Sequence, residues 1–499
     1  MNKIVLLLII ICLFLGCRPN MDNSQKTISQ TKTDWIYHVD SLLMPFWMSD
    51  DALGNPRGNY PAYRYPDGRA IDPANLDYKF LVPEYQQFYM DNTDSLRRDF
   101  IRVKSRQVYG YCIAFHLTGN EEYLVNAKLG LDYLIKKGVY DDGSAVTFWD
   151  KEGNANPRIL QRNTQDLAYA LLGPSTYYYL TRDPEILNMV LDVNRFVWKE
   201  YYENSELKEN TKLMAFVRED FESDNTQQKE LLAPLDQLNA YLLLMARIVP
   251  DSLSEEFLGK ASILAHSMKD NFYSEDYNIF WGRLNKKGMD GHTDFAHSIK
   301  TFWMIHVTAK LTDDKALENF AREGAKKLLE TAFIKENGSW ASKYIDESLE
   351  LDRSAFAWHN AELDQMAATL SFEDTSYYSK YLEHTYPYFE KYMIDYENKG
   401  TYWARLEDGE VVKLGFRSGW HMANFHDLEH ALIGYLSTAN YYGDDIELHF
   451  AFDQNINPEN EKVKPYHYDA EVREMNKSEF KNLLLSNLSK TKVIFDRIN

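Results

Sequence analysis

The chain reads as an all-α protein, a toroid of six helical hairpins closed into an (α/α)6 barrel with short β-hairpins at one mouth, and three observations lead there. Short polar turns recur at Thr118-Gly119-Asn120, Thr181-Arg182-Asp183, Val249-Pro250-Asp251, Leu311-Thr312-Asp313 and Phe372-Glu373-Asp374, about 61 to 68 residues apart, and each joins two runs of helix formers. Within those runs apolar residues return three and four places apart, as at Leu124, Ala127, Leu131, Leu134 and Ile135. Twelve such segments make six pairs, and hairpins that each bury one face on the next leave an exposed edge unless the row is capped or closed. Six pairs favour closure; an open solenoid is the alternative.

In chain order, Met1-Asn2-Lys3 brings one positive charge, Ile4 to Leu15 is an unbroken apolar run, and Gly16-Cys17 ends it. About a dozen residues fall short of the roughly 20 that span a bilayer, so 1–17 is expected to be a secretory signal. Phe14-Leu15-Gly16-Cys17 resembles a bacterial lipobox, with Cys17 as the lipidation site and Phe14 where Leu is usual; simple cleavage beside an incidental cysteine is the alternative. Residues 18–31 then read as a flexible tether, 32–443 as the barrel and 444–499 as a C-terminal extension. This places the protein in a bacterial cell envelope, touching membrane only through its N-terminal lipid.

Helices are expected near 33–47, 95–118, 121–137, 163–181, 184–202, 230–249, 253–271, 293–311, 313–331, 354–371, 375–394 and 422–441. Between the first two, Asp50 to Asp94 is rich in Gly, Pro, Asp and Tyr, a length that suits a lid. Four links carry strand-like aromatic motifs, Val146-Thr147-Phe148-Trp149, Ile279-Phe280-Trp281, Gly338-Ser339-Trp340 and Thr401-Tyr402-Trp403, which in a ring would gather at one mouth with the N-termini of one helix set. The tail offers strand-like pieces at Ile446 to Phe452 and Val463 to Tyr468, then a charged helix from Lys477 to about Leu488.

With 55 Lys and Arg against 75 Asp and Glu, the formal charge is -20, which argues against nucleic acid as a partner. Cys12 would leave with the leader, so only Cys112 remains beyond the tether and the body cannot form an internal disulfide. Aromatics make up 14% of residues, enough for stacking on sugar rings beside ordinary core packing.

Histidine is the side chain that most readily exchanges protons near neutrality, and two clusters stand at expected helix starts. In the first, Asp294, His297 and Lys300 step by three along one helix face, flanked by Phe295, Ile299, Phe302 and Trp303. A carboxylate before the histidine orients its ring, and a lysine after it disfavours the imidazolium, so a neutral base is expected; a solvated polar face is the alternative. In the second, Phe425-His426-Asp427-Leu428-Glu429-His430 raises the question of zinc, but nothing such as His-Glu-x-x-His appears, and neither a metal nor a cofactor is expected. Trp358-His359-Asn360-Ala361-Glu362 opens the tenth helix, and Arg106 lies on the second beside Tyr109. If alternate helices form the inner ring, Arg106, His297, Trp358, Glu362 and His426 converge on one cavity.

These motifs resemble the N-acylglucosamine 2-epimerase and cellobiose 2-epimerase family across nearly the whole chain after the tether. Arg106-x-x-Tyr109, His116-Leu117-Thr118-Gly119 and Glu122-Tyr123-Leu124 are similar to its early Arg-x-x-Trp helix and Thr-Gly-x-x-x-Tyr-Leu turn, and Ala296 to Trp303 is similar to its Gly-His-Asp-Ile-Glu-Ala-Ser-Trp motif. Trp358 to Glu362 resembles its Trp-rich Gln-Ala-Glu segment, and Phe425-His426-Asp427 its Tyr-His-Asn. The resemblance implies an (α/α)6 barrel without metal, His297 and His426 as general base and acid at C2 of an opened reducing sugar, and Arg106 on the carbonyl oxygen. Lys300, Trp303, Asn239, Trp358, His359, Glu362, Tyr109 and Asp294 would then contact the sugar. Three departures stand out: Lys300 replaces Glu, Asn239 replaces a common His, and the Trp420-to-His426 spacing is one longer. Lys300 reverses the charge beside the proposed base, which suggests an acidic substrate or altered reaction.

The leading expectation is therefore a sugar 2-epimerase or aldose-ketose isomerase. Two others remain: a non-catalytic glycan-binding lipoprotein holding sugar by Trp149, Trp281, Trp303 and Trp358, and a glycan hydrolase or lyase with Glu362, Asp294 or Asp166 as its acid.

Overall fold

The computed structural model describes residues 31–72, 74–77, 79–80, 96–150, 152–155, 163–203, 214, 229–284, 287–289, 292–412, 416–419 and 423–498. The leader, Cys17, most of the tether, residues 73, 78 and 81–94 of the expected lid and Trp420 lie outside the described residues.

Among the described residues twelve helices build the body: α1 (32–47), α2 (Ile101–Thr118), α3 (Glu121–Gly138), α4 (Thr164–Thr181), α5 (184–203), α6 (232–246), α7 (Asp251–Phe272), α8 (Phe295–Thr312), α9 (Lys315–Ala332), α10 (Ala357–Glu373), α11 (378–393) and α12 (Phe425–Tyr442). Three of the five recurring turns share one chemistry. A left-handed residue ends the first helix of a pair, and an amide or carboxylate side chain then caps the second. Gly119 (φ 67°) precedes Asn120, which accepts from the Glu122 amide at 3.1 Å. Arg182 (φ 61°) precedes Asp183, on the Glu185 amide at 2.9 Å, and Asp313 (φ 55°) precedes Asp314, on the Leu317 amide at 3.0 Å. Each cap contributes about 1 kcal/mol. At Gly119 a side chain is excluded twice, by the positive φ and because a Cβ would lie 2.6 Å from the His449 ring.

Burial separates two rings. Every residue of α2 from Ile101 to Leu117 is buried, and α4 is buried along nearly its whole length. By contrast, α9 buries one stripe, Leu317, Ala321, Gly324, Ala325, Leu328, Leu329 and Ala332. The even-numbered helices are thus the inner ring: α2 packs on α4, α4 on α6, α8 on α10, α10 on α12 and α12 back on α2, while α7 packs against both α6 and α8. Helix α1 lies along α12, where Trp35 Nε1 donates to Thr438 Oγ1 at 3.0 Å, and a Cβ at Gly434 would meet the Trp35 ring at 2.2 Å. The expected (α/α)6 barrel is the fold.

Five two-stranded antiparallel sheets stand around the links that lead into inner helices, three of them hairpins, β3 (Tyr273–Ser274) with β4 (Ile279–Phe280), β5 (Phe333–Ile334) with β6 (Ser339–Trp340) and β7 (Lys343–Tyr344) with β8 (Leu351–Asp352), and two that pair across a helical hairpin, β1 (Asp99–Phe100) with β2 (Phe148–Trp149) and β9 (Ala355–Phe356) with β10 (Ala404–Arg405). Their aromatics mostly do not wall the mouth, contrary to expectation. Trp340 is fully buried against Phe333 and Tyr381 with Nε1 on Asp364 at 2.8 Å, and Phe280 packs on Tyr273, Phe302 and Phe320. Strands of two residues have no core of their own, so their rings wedge between the helix layers; Trp281 and Trp403 keep an exposed edge.

The expected lid is fastened down along the part that is described before Tyr65. Gln107 of α2 donates to the Ala52 carbonyl at 2.9 Å, Lys104 Nζ reaches Asn59 Oδ1 and the Tyr60 carbonyl at 2.7 Å each, and the buried Arg64 guanidinium stacks 4.0 Å over Phe46. The tail also differs from expectation. It forms a sheet of β11 (Ile446–Asp453), β12 (Val472–Glu479) and β13 (Leu488–Phe495) in the order β11-β13-β12, with β11 against α2 and α4. Residues 477–488, expected to be helical, begin in β12, an edge strand exposed on both faces whose polar sequence lacks the alternation of a half-buried strand. Val463 to Tyr468 is not a strand: it turns under the ring and buries Tyr466, His467 and Tyr468 there. Among the described residues no helix is long and apolar enough to cross a membrane.

Candidate active site

The inner helices begin at one end, so the first turns of α8, α10 and α12 face a common space. Asp294 caps α8, accepting from the His297 amide at 2.8 Å, and its second oxygen takes the His297 Nδ1 at 2.6 Å. A hydrogen bond to Nδ1 sets that nitrogen as donor and leaves Nε2 for other work. On α10, His359 Nε2 lies 3.7 Å from the other Asp294 oxygen. On α12, His426 Nδ1 lies at ion-pair distance, 3.2 Å, from Glu362 Oε1, which also accepts from Lys300 Nζ at 2.8 Å. The Trp358 ring lies between the two imidazoles, its centroid 4.9 Å from that of His297 and 5.7 Å from that of His426. His297, Trp358 and His426 keep an exposed edge, while Lys300, Glu362 and Glu429 beneath them are buried.

Electrostatics differentiate the two histidines. Burial alone would lower both, but the Asp294 carboxylate holds His297 above the ordinary imidazole range, and His297 in turn holds Asp294 well below the carboxylate range despite its burial. Burial pushes His426 down to about 4 against the pull of Glu362. This corrects the expectation of a neutral His297. Lys300 is spent on Glu362, a buried pair in which the lysine is held above and the glutamate below its usual range, each against its own burial. With that charge neutralised, the reason to expect an acidic substrate falls away.

Arg106 is buried on α2, its guanidinium 4.0 Å over the Tyr169 ring and 5.9 Å from Phe425. Tyr169 donates to Asp236 at 3.2 Å, and Gln165 to the same carboxylate at 2.8 Å. Asn239, one turn along α6 from Asp236, is buried with no hydrogen-bond partner for Nδ2 among the described residues. Asp166 pairs with Arg102 at 3.5 Å. Two expected sugar contacts lie elsewhere. Trp303 is buried below Lys300, its Nε1 on Thr369 at 2.8 Å and its ring against His467, and Tyr109 turns its hydroxyl to Tyr466 at 3.1 Å. Both serve the floor, because Tyr109 lies about one helical turn beyond Arg106 and Trp303 nearly two beyond His297.

His430 does not join His426; its Nε2 pairs with Asp364 at 2.9 Å between α12 and α10. Glu362, His426 and Glu429 each place a donor atom within 4.8 Å of the others, the spacing a metal would need, but the Lys300 ammonium already supplies the positive charge at Glu362 and no ion is assigned there. Asp236, Tyr169 and Glu429 were not singled out from the sequence as site residues, although Asp236 stands three before Asn239 and Glu429 three after His426. Tyr466 had no such signal.

A closed (α/α)6 ring with a tryptophan flanked by two imidazoles at its inner mouth is the class that fold and site define. The chain belongs to the family described as N-acylglucosamine 2-epimerase (GlcNAc 2-epimerase), whose profile matches residues 86–423. It is 23% identical over 256 residues to a cellobiose 2-epimerase of Eubacterium cellulosolvens, a stretch that spans 46% of this chain and 61% of that one. To a cellobiose 2-epimerase of Ruminococcus albus it is 22% identical over 324 residues, 61% and 78% of the two chains. In structure it is similar to the cellobiose 2-epimerase of Bacillus thermoamylovorans B4167, with a TM-score of 0.64 at 16% identity over 81% of this chain and 98% of that one. A D-mannose isomerase gives a TM-score of 0.63 at 17% identity over 82% and 96%.

Proposed function

We propose that this chain is a sugar epimerase or aldose-ketose isomerase that moves a proton at C2 of a reducing sugar opened to its carbonyl form. One observation carries the reading: two imidazoles on facing inner helices flank one tryptophan, and their surroundings favour a protonated His297 and a neutral His426. His426 takes the C2 proton, the C2–H pair forms the C1=C2 double bond as the carbonyl π pair moves onto O1, and Arg106 offsets the charge of the resulting enediolate. His297 returns a proton to the opposite face of C2, which inverts it; protonation at C1 instead, with the O2 hydroxyl proton passing to O1, gives the ketose. The exchanged protons equilibrate with solvent between turnovers. The family membership and the relatives named as cellobiose 2-epimerases support the sugar as substrate.

The test is proton NMR of the soluble domain in heavy water with a panel of reducing sugars. Loss of a C2 proton signal together with a new epimer or ketose is expected, and His297→Ala or His426→Ala abolishes it while leaving the far-UV spectrum intact. Undiminished exchange in either variant overturns the assignment. Export and lipid anchoring through Cys17 complete the proposal, supported by the apolar run Ile4 to Leu15 and the Leu15-Gly16-Cys17 sequence.

A further inference from the structure

Below His426, α12 carries a second acid that the proton transfer above does not use. Glu429 is buried, and its Oε1 accepts from the Tyr466 hydroxyl at 2.7 Å. Tyr466 belongs to the segment that the C-terminal extension tucks under the ring, and its hydroxyl also meets that of Tyr109 from α2 at 3.1 Å. Its backbone amide is tied in turn to the Tyr179 hydroxyl of α4 at 2.9 Å. Glu429, Glu362 and His426 hold donor atoms within 4.8 Å of one another. A tail residue is thereby linked, through one carboxyl group, to the histidine at the mouth.

We propose that Glu429, held in place by Tyr466, is a positioning residue that governs how Glu362 meets His426, so that the C-terminal extension is a working part of the catalytic apparatus. The inference rests on the role proposed for His426.

Charge counting supports it. Two carboxyl groups share one nearby ammonium, that of Lys300, and in a buried site two adjacent carboxylates do not both ionise while one cation serves them. Burial first, and then the charge of Glu362, raise Glu429 above its ordinary range, while Lys300 keeps Glu362 ionised. The groups facing Glu429 are Tyr109 from α2, Lys300 from α8, Glu362 and Gln365 from α10, and Tyr466 and Tyr468 from the tail, with His426 one turn above on α12 and Arg106 and Tyr169 beyond it. Of these Glu362 opposes the Glu429 anion, while Lys300, Tyr466 and Gln365 favour it. When Glu429 does lose its proton, a new negative charge arises within 4.8 Å of the His426 ligand atom, and His426 must respond to it.

The experiment is a pH titration of the imidazole signals of the full folded domain, uniformly labelled with nitrogen-15 and assigned by His426→Gln, for wild type, Glu429→Gln and Tyr466→Phe, alongside pH profiles of C2 exchange. In wild type the His426 signal shows a second inflection at alkaline pH as Glu429 ionises. Glu429→Gln removes that inflection, and Tyr466→Phe, which deletes a hydrogen bond that favours the carboxylate, moves it to higher pH. Loss of this one hydrogen bond lowers kcat about fivefold, with KM little changed. A His426 titration that is the same in all three proteins overturns the proposal. Glu429→Gln and Tyr466→Phe each preserve shape, so a folding defect in one leaves the other as the test. If wild type exchanges no sugar proton yet Glu429→Gln still removes the inflection, the coupling stands and the enzymatic reading falls.

Discussion

Replacing Asp294 with Asn separates the two things that this side chain does. It caps α8 through the His297 amide and it faces the His297 ring with a negative charge, at 2.8 and 2.6 Å. Asparagine caps about as well as aspartate through its one carbonyl oxygen, but its amide nitrogen then faces Nδ1, so the helix start survives while the charge and the Nδ1 acceptor are lost. Removing a carboxylate from within about 4–6 Å of a titrating group moves its pKa by about 1–3 units, and each unit is about 1.4 kcal/mol. At the middle of that range the imidazolium of His297 becomes about 100-fold less populated at any pH above both values. The sign follows from the environment: His297 is held high, so turnover that needs its proton is lost as pH rises through the folded value, and in Asp294→Asn that alkaline limb comes about two pH units earlier. Folding stability adds a second readout. The raised His297 contributes stability that is full below the unfolded imidazole value of about 6.5, and the depressed Asp294 contributes stability that is full above the unfolded carboxylate value of about 3.9. The gap between wild type and variant in urea unfolding is therefore widest between those two values, narrows as pH falls below the lower and narrows again as pH rises through the folded value of His297. C2 exchange rates and urea midpoints measured across pH check both. An alkaline limb that coincides with that of wild type refutes the claim that Asp294 sets the protonation of His297.

Lys300→Met leaves Glu362 and Glu429 facing each other without their cation, and the loss of one partner of a buried pair costs about 3–5 kcal/mol in urea unfolding, of which Lys300→Met/Glu362→Gln recovers a large part. Gly119→Ala forces a Cβ into the left-handed region and against the His449 ring, so the midpoint falls by at least about 1–2 kcal/mol in equivalent stability, measured by thermal and urea unfolding. Cys17→Ala abolishes incorporation of radiolabelled palmitate in a bacterial host and releases the protein from the membrane fraction, whereas retained label would place the lipid elsewhere.

The helices were legible because their boundaries carry chemistry of their own. A left-handed residue followed by Asn or Asp reads as stop and start even when the helix between is buried all round, as α2 is, and offers no polar stripe to set its phase. The positions of His297, His426 and Arg106 followed from their helices. Lys300 did not yield its meaning, since its partner Glu362 is 62 residues away on another helix and local order showed only the neighbouring His297. The hairpin aromatics misled for a related reason: a short strand with a tryptophan reads alike whether its ring faces a cavity or the gap between helix layers. In the tail, β12 is polar on both faces because it is an exposed edge, and a polar run of eight residues without alternation resembles a helix as readily as a strand. Tyr466 acts across the floor from a segment with no motif, and only the packed chain shows where it points.

The contact between Trp35 and Thr438 joins the first helix of the barrel to the last, across 403 residues of chain. Every other neighbour pair around the ring is nearer in sequence, so this seam carries the largest loop-closure entropy. Weakening the seam, for instance with Trp35→Ala, should loosen α1 from α12 while the inner contact of α12 on α2 and the far wall, α4 to α8, stay in register.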